Sequence, residues 1–221
     1  MEFMVSTLEI GKVLLVCLCS YLFGSIPWAL VIGLVFYHKD IRKEGSGNLG
    51  GTNAGRVLGK PAGVTVILLD ALKAYISMWI SHMILPGSEI YAGLLCCAGH
   101  CFPVFAHFKG GKAVATSYGF MLGITTFTTH QWFWNFFFAI LCFFLVLYLF
   151  RMVSLASCTA LAAEALVSLI LSAAGKVPFS VSLALIVLAL FVTYRHKANI
   201  ARIKNGTESH IRWMGKELWG K

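Results

Sequence analysis

The sequence predicts an all-α integral membrane protein: a polytopic bundle of seven transmembrane helices, some short, with the N-terminus outside and the C-terminus in the cytoplasm. Three observations predict it. Of the 221 residues, 58% are hydrophobic and only 12% are charged, whereas a soluble domain carries about 25% charged residues. The apolar residues fall in long runs, and a bilayer span needs about 20 of them. The lysines and arginines collect in alternate connections between those runs.

The first run, 13–37, is 25 residues without Lys, Arg, Asp, Glu or His. It is too long for a signal-peptide core and carries no A-x-A-like cleavage site, so it is expected to stay in the mature chain. Run 61–85 follows, with Asp70, Lys73 and His82 inside it, and then the shorter run 90–106 with His100. Run 113–150 has 38 residues and His130 as its single histidine. One helix of that length would extend about 57 Å, nearly twice the hydrocarbon core. It is therefore expected to fold back near residues 129–131. Runs 152–175 and 177–194 complete seven spans, or five to six if a short one is re-entrant.

Orientation follows from the cations. Lys39, Arg42, Lys43, Arg56, Lys60, Lys109, Lys112, Arg151, Arg195, Lys197, Arg202, Lys204, Arg212, Lys216 and Lys221 fall on one side in this topology, which makes that side cytoplasmic. Lys12 and Lys176 fall on the other side, and Lys73 lies within a span. The net charge of +9 thus sits mainly on one face. It suits anionic lipid headgroups and equally a site for phosphorylated substrates. Nucleic acid is excluded as a partner for want of a soluble domain. The seven cysteines lie in or beside spans without a C-x-x-C pair, so neither zinc nor a disulfide framework is indicated.

Chemistry concentrates in the cytoplasmic connections, because the external turns are bare. The first is GSGNLGGTNAGR, residues 45–56. Gly45, Gly47 and Gly50 permit close backbone approach, and successive N–H groups form an anion nest. Ser46, Asn48, Thr52 and Asn53 add neutral donors, and Arg56 forks onto a phosphate. Thr52 or Asn53 is also a candidate N-cap for the next span. A P-loop is excluded, since no Gly-Lys-Ser/Thr follows at the required spacing. A flexible connector is the plain alternative.

The second connection, GHCFPVFAHFKGGKAVAT at 99–116, repeats glycine flanked by cations: Lys109, Gly110, Gly111 and Lys112, followed by Thr116. A helix starting near Gly111 would turn its N–H groups onto the loop. His100 and His107 have no organised companions, so no metal site is expected. The third connection places Ser154 about one turn into the next span, where interhelical hydrogen bonding is the ordinary role of serine. The fourth, TYRHKANIARIKNGTE at 193–208, puts His196 and Asn199 on one helical face if the helix continues, with Arg195 and Arg202 close to the same side. An amphipathic exit helix on the headgroups is its plain alternative. Deeper, Asp70 and Lys73 can pair at i, i+3, while Glu164 has no evident partner.

Three of these loops together resemble the motifs of the bacterial acyl-phosphate:glycerol-3-phosphate acyltransferases, the PlsY family, in order, spacing and placement. The sequence departs from that pattern at Gly51 for the usual alanine, Ala113 for a usual glycine, and Ala198 where an acidic or polar residue is common. The resemblance implies one transmembrane acyltransferase domain over 1–221 in the cell membrane, with its active site on the cytoplasmic side. It implies transfer of a fatty acyl group from acyl phosphate to the 1-hydroxyl of glycerol 3-phosphate, giving lysophosphatidic acid and phosphate. No cofactor, metal or obligate protein partner is implied; membrane lipid is. The His-(four residues)-Asp acyltransferase motif is absent from the family as from this chain. By resemblance, His196, Asn199, Ser154 and Lys112 serve the reacting groups. Phosphate and substrate binding fall to Gly45, Ser46, Gly47, Asn48, Gly50, Thr52, Asn53, Arg56, His100, Lys109, Gly110, Gly111, Thr116, Arg195, Arg202 and Glu208. Either His196 takes the hydroxyl proton, or a substrate phosphate takes it while His196 positions the hydroxyl. A transporter of a phosphorylated solute is the competing function. A lipid-binding scaffold is a third, and leaves the clustering of polar loops unexplained.

Overall fold

A computed structural model describes residues 7–211; Arg212, Lys216 and Lys221 of the predicted cytoplasmic charge lie outside them. Among the described residues every regular element is helical. The chain divides into two compact units, one ending at Thr128 and one beginning at Thr129.

In the first unit, run 13–37 forms α1 (Thr7–Gly24) and α2 (Trp28–Tyr37), broken at Ser25-Ile26-Pro27. Pro27 brings no N–H to the ladder. The Ile26 N–H donates to the Phe23 carbonyl at 3.2 Å, and the Ser25 N–H and hydroxyl both donate to the Tyr21 carbonyl, which keeps the break satisfied away from water. A short helix α3 (Gly51–Val57) precedes α4 (Lys60–Ile84), which at 25 residues is about 37 Å long. Next come α5 (Glu89–Cys101) and α6 (Val114–Ile124), the latter continued by a π turn over Thr125–Thr129.

Small residues let these helices approach closely, as they do between helices in lipid. α1 packs on α5, and α4 packs on α3, α5 and α6. Side chains on the outer faces, such as Leu14, Leu18, Phe36 and Met83, are apolar and exposed, as lipid-facing residues are. Gly51 lies at the α3–α4 crossing, where a Cβ would meet the Ile67 side chain and lie 2.8 Å from the carbonyl of Gly63. Gly51→Ala is therefore expected to cost about 1–3 kcal/mol by overpacking. The readout is a lower unfolding midpoint in detergent, partly restored by adding Ile67→Ala. An unchanged midpoint would mean that α4 yields without cost.

Near its start the second unit has His130 in the left-handed region (φ 53°), where the sequence predicts a break. A π turn (Phe133–Phe137) leads into α7 (Phe138–Phe150), followed by α8 (Val153–Ala173), α9 (Phe179–Arg195) and α10 (Lys197–Lys204). α8 packs on α7 and α9. Glu164 acquires the partner that the sequence left unnamed: the Asn135 amide donates to it at 2.9 Å, and both residues are fully buried.

Among the described residues, five apolar helical stretches are long enough to cross a membrane, and six if the bent pair α9–α10 counts as one. The expected span after residue 113 is the shortfall. α6 with its π turn, residues 114–129, reaches only about 24 Å.

Candidate active site

Two polar assemblies carry most of the predicted site residues, one in each unit. The first is built on the glycine-rich loop at 45–56. Asp40 caps a 3-10 turn (Ile41–Lys43) and grips the Arg42 guanidinium through two hydrogen bonds of 2.9 Å. The bond from Arg42 holds the Asp40 carboxyl at about 2, and Arg42 is thereby engaged locally. Gly45 and Gly47 take positive φ (61° and 67°), a conformation that other residues adopt only at a cost. Leu49 is the anchor. It is buried with Ile41, Ala54 and Val66 in an apolar cluster.

Asn53 departs from its expected role. It is 1% exposed, its Oδ1 accepts from the Ser46 backbone N–H at 2.8 Å, and its Nδ2 donates to the carbonyls of Ile41 and Glu44. Both ends of the amide hold the loop together rather than face a ligand. Neither Thr52 nor Asn53 caps the second span: Gly50 caps α3 and Gly59 caps α4. Ser46, Thr52 and Arg56 are exposed, while Asn48 and Gly50 are half-buried.

The second loop is fastened to the first through Ala106, which joins the cluster of Leu49 and Ala54. Lys109 is exposed, Gly110 and Lys112 are half-buried, and Gly111 and Thr116 are buried. The helix begins at Val114 rather than near Gly111, because Ala113 adopts a left-handed conformation (φ 59°) as its N-cap. That conformation costs any residue with a Cβ, so glycine would suit the position better. His100 is drawn inward as well. It is 6% exposed, and its Nδ1 lies 2.9 Å from Lys73 Nζ, which in turn pairs with Asp70 at 2.8 Å. The Asp70–Lys73 pair is as the spacing predicted. Its link to His100 was missed, because nothing local in sequence joins residues 73 and 100.

The second assembly surrounds a bend. α9 ends at Arg195, and α10 departs from it by 61°, so the expected continuous helix through His196 is broken. Arg195, half-buried, belongs to the last turn of α9, and Arg202 belongs to α10. His196 sits at the corner, 3% exposed, and its Nδ1–H donates to the carbonyl of Val192 at 2.8 Å. A carbonyl only accepts, so the proton is on Nδ1 and the acceptor lone pair of the neutral ring is on Nε2.

After α10 the chain turns at Gly206 (φ 68°) and brings Glu208 back. Glu208 Oε1 accepts from Ser154 Oγ at 2.7 Å and from Asn199 Nδ2 at 2.6 Å, and Oε2 accepts from Arg202 Nε at 2.8 Å. This corrects its placement among phosphate ligands. A carboxylate repels phosphate, and this one is occupied by three donors. Burial pushes the carboxyl up, but the bonds from Asn199, Ser154 and Arg202 outweigh it and hold the group below the usual glutamate range. The segment is pinned once more where Arg151 and Ile211 exchange hydrogen bonds, Arg151 Nε to the Ile211 carbonyl and the Ile211 N–H back.

The family model for glycerol-3-phosphate acyltransferase matches residues 14–206. The chain belongs to the glycerol-3-phosphate acyltransferase family. A glycerol-3-phosphate acyltransferase of Enterococcus faecalis is 44% identical over 90% of this chain and 92% of its own length. One from Geobacillus kaustophilus is 43% identical over 91% and 98%. Among solved structures, the chain resembles PlsY (YgiH), an integral membrane glycerol 3-phosphate acyltransferase, in its glycerol 3-phosphate form. The TM-score is 0.80 at 36% identity, over 91% of this chain and 96% of that one. The lysophosphatidic acid form of that protein gives 0.78 at 35%. The family match takes in both glycine-rich loops and the His196 corner. Glu208, which holds Ser154 and Asn199 together, lies two residues beyond it.

Proposed function

We propose that this acyltransferase takes its acyl group from a long-chain acyl phosphate and delivers it to the 1-hydroxyl of glycerol 3-phosphate, releasing lysophosphatidic acid and phosphate. The observation that carries the reading is the His196 corner, where a backbone carbonyl fixes the Nδ1–H tautomer of a buried histidine. Nε2 accepts the proton of the 1-hydroxyl as its oxygen attacks the acyl carbonyl carbon. The carbon–oxygen bond to the phosphate breaks, and the proton passes to the departing phosphate. A mixed anhydride is already activated, so positioning and charge stabilisation provide most of the rate. Ser46, Thr52, Arg56, Lys109 and Lys112 bind the anionic groups. Two phosphorylated substrates account for two basic glycine loops. Ser154 and Asn199, tied by Glu208, keep the His196 corner in place.

We further take residues 1–221 as one acyltransferase domain, since the family match runs across the division between the two units. The chain crosses the cell membrane seven times with the N-terminus outside, and the reaction proceeds on the cytoplasmic side. The gathering of cations in alternate connections supports this topology.

The test uses purified protein in native lipid with glycerol 3-phosphate and either palmitoyl phosphate or palmitoyl-CoA. Lysophosphatidic acid is expected from the acyl phosphate alone. Product from the CoA ester, or none from either donor, sinks the donor assignment. Flux of glycerol 3-phosphate into liposomes without acylated product would instead favour a transporter.

A further inference from the structure

The buried charges of α4 are not explained by stability. Asp70 and Lys73 are each 1% exposed. Desolvating such a pair costs about as much as its attraction returns, so apolar residues serve stability as well. What sets this pair apart is where the ammonium reaches. Lys73 Nζ contacts Asp70 Oδ1 at 2.8 Å, His100 Nδ1 at 2.9 Å and the carbonyl of Ile26 at 3.1 Å. The contacts to His100 and Ile26 are hydrogen bonds, and the contact to Asp70 is an ion pair. They join α4 to the break between α1 and α2 and to the end of α5.

An ammonium has no lone pair, so His100 Nδ1 must accept from it and the ring proton must lie on Nε2. The carboxylate also approaches His100 Nδ1, but from the longer distance of 3.3 Å. The ring edge bearing Nε2 lies against Gly111, where any Cβ would overlap the imidazole. The Gly111 N–H donates to the His100 carbonyl at 3.1 Å, and a Cβ on Gly110 would meet that same carbonyl. Residues 110–111, between Lys109 and Lys112, are therefore moulded on His100.

We infer that Asp70 and Lys73 are positioning residues for the anion-binding loop: they fix His100 as the Nε2–H tautomer, and His100 fixes the Gly110-Gly111 backbone. His100 thereby supports the loop from behind rather than serving as one of its ligands. The inference deepens the proposed function and rests on it for the role of the loop, but not for the tautomer.

The test uses the full chain in lipid nanodiscs with ¹⁵N-labelled histidine, the His100 resonance being assigned by its loss in His100→Gln. A neutral Nε2–H imidazole is expected. The double variant Asp70→Leu/Lys73→Met removes both charges, so no unpaired ion is left to unfold the protein. It is expected to lose the single Nε2–H signature and to raise KM for both phosphorylated substrates at least tenfold, with kcat less affected. An Nδ1–H His100 in the wild type overturns the inference and requires no variant to fold. So does a folded double variant with wild-type KM. A wild-type protein inactive with acyl phosphate would sink the donor assignment, while the resonance would still decide the tautomer.

Discussion

Replacing His196 with alanine is expected to lower kcat by about a hundredfold to ten-thousandfold, the range for loss of a positioned general base. The folded state should survive, because the backbone N–H of His196 continues to bond the carbonyls of Val192 and Thr193 at the bend. His196→Asn is the sharper variant. Its amide nitrogen stands near the place of Nδ1 and can keep the bond to Val192, but nothing replaces Nε2. If Nε2 takes the hydroxyl proton, His196→Asn fails as badly as alanine while unfolding at the wild-type temperature. If the ring only braces the corner, His196→Asn recovers most of the activity. Initial rates over a range of glycerol 3-phosphate, beside a thermal melt of each variant, separate the two. Wild-type kcat in His196→Ala would remove the residue from the mechanism altogether.

The membrane fold and the polar loops were legible in the sequence because both depend on local composition. A 38-residue apolar run exceeds the bilayer, so a break near residue 130 was expected, and His130 leaves helical geometry there at φ 53°. Glycine beside lysine and arginine marked the polar loops for the same local reason. The bend at His196 was not legible, because periodicity alone cannot distinguish a helix that continues from one that turns by 61° and starts again. Asn53 looked like a ligand donor because its amide suits that role equally well. Only the backbone groups of Ile41, Glu44 and Ser46 around it show that it is occupied. The start of α6 was misplaced by three residues, since glycine at 111 is needed for the approach of His100 and not for a helix start. Pairings such as Lys73 with His100, or Asn135 with Glu164, join residues 27 and 29 apart and exist only once the helices pack. One signal was available and unused. Glu208 is the single acid in the basic segment 193–208, and an acid so placed is more readily a partner for cations than a ligand for phosphate.

Glu208→Ala is expected to disturb both stability and turnover, because it removes the acceptor shared by three donors. Ser154 and Asn199 are buried and would lose a charged acceptor, whereas Arg202 is half-exposed and can turn to water. The Arg202 pair is accordingly worth only about 0–1 kcal/mol. Bonds to a charged acceptor contribute about 1.5–3 kcal/mol each, and they share one carboxylate, so roughly 2–4 kcal/mol in total is the expected loss of unfolding free energy. Glu208→Gln should lose less. Its oxygen still accepts from Ser154 and Asn199, while its amide faces Arg202 as donor against donor. The acid side of the stability profile supplies an independent readout. The Glu208 carboxyl is held below its ordinary value near 4.5. A depressed carboxyl stabilises the folded state fully above the ordinary value, and the contribution is lost as pH falls through the lowered one. Wild-type stability should therefore decline below about pH 4.5, and Glu208→Gln should follow a flatter acid limb. If Glu208 instead contacted substrate, the alanine variant would raise KM and leave the unfolding curve and its pH dependence unchanged. That outcome would remove Glu208 from its structural role beside Ser154 and Asn199 and return it to the substrate.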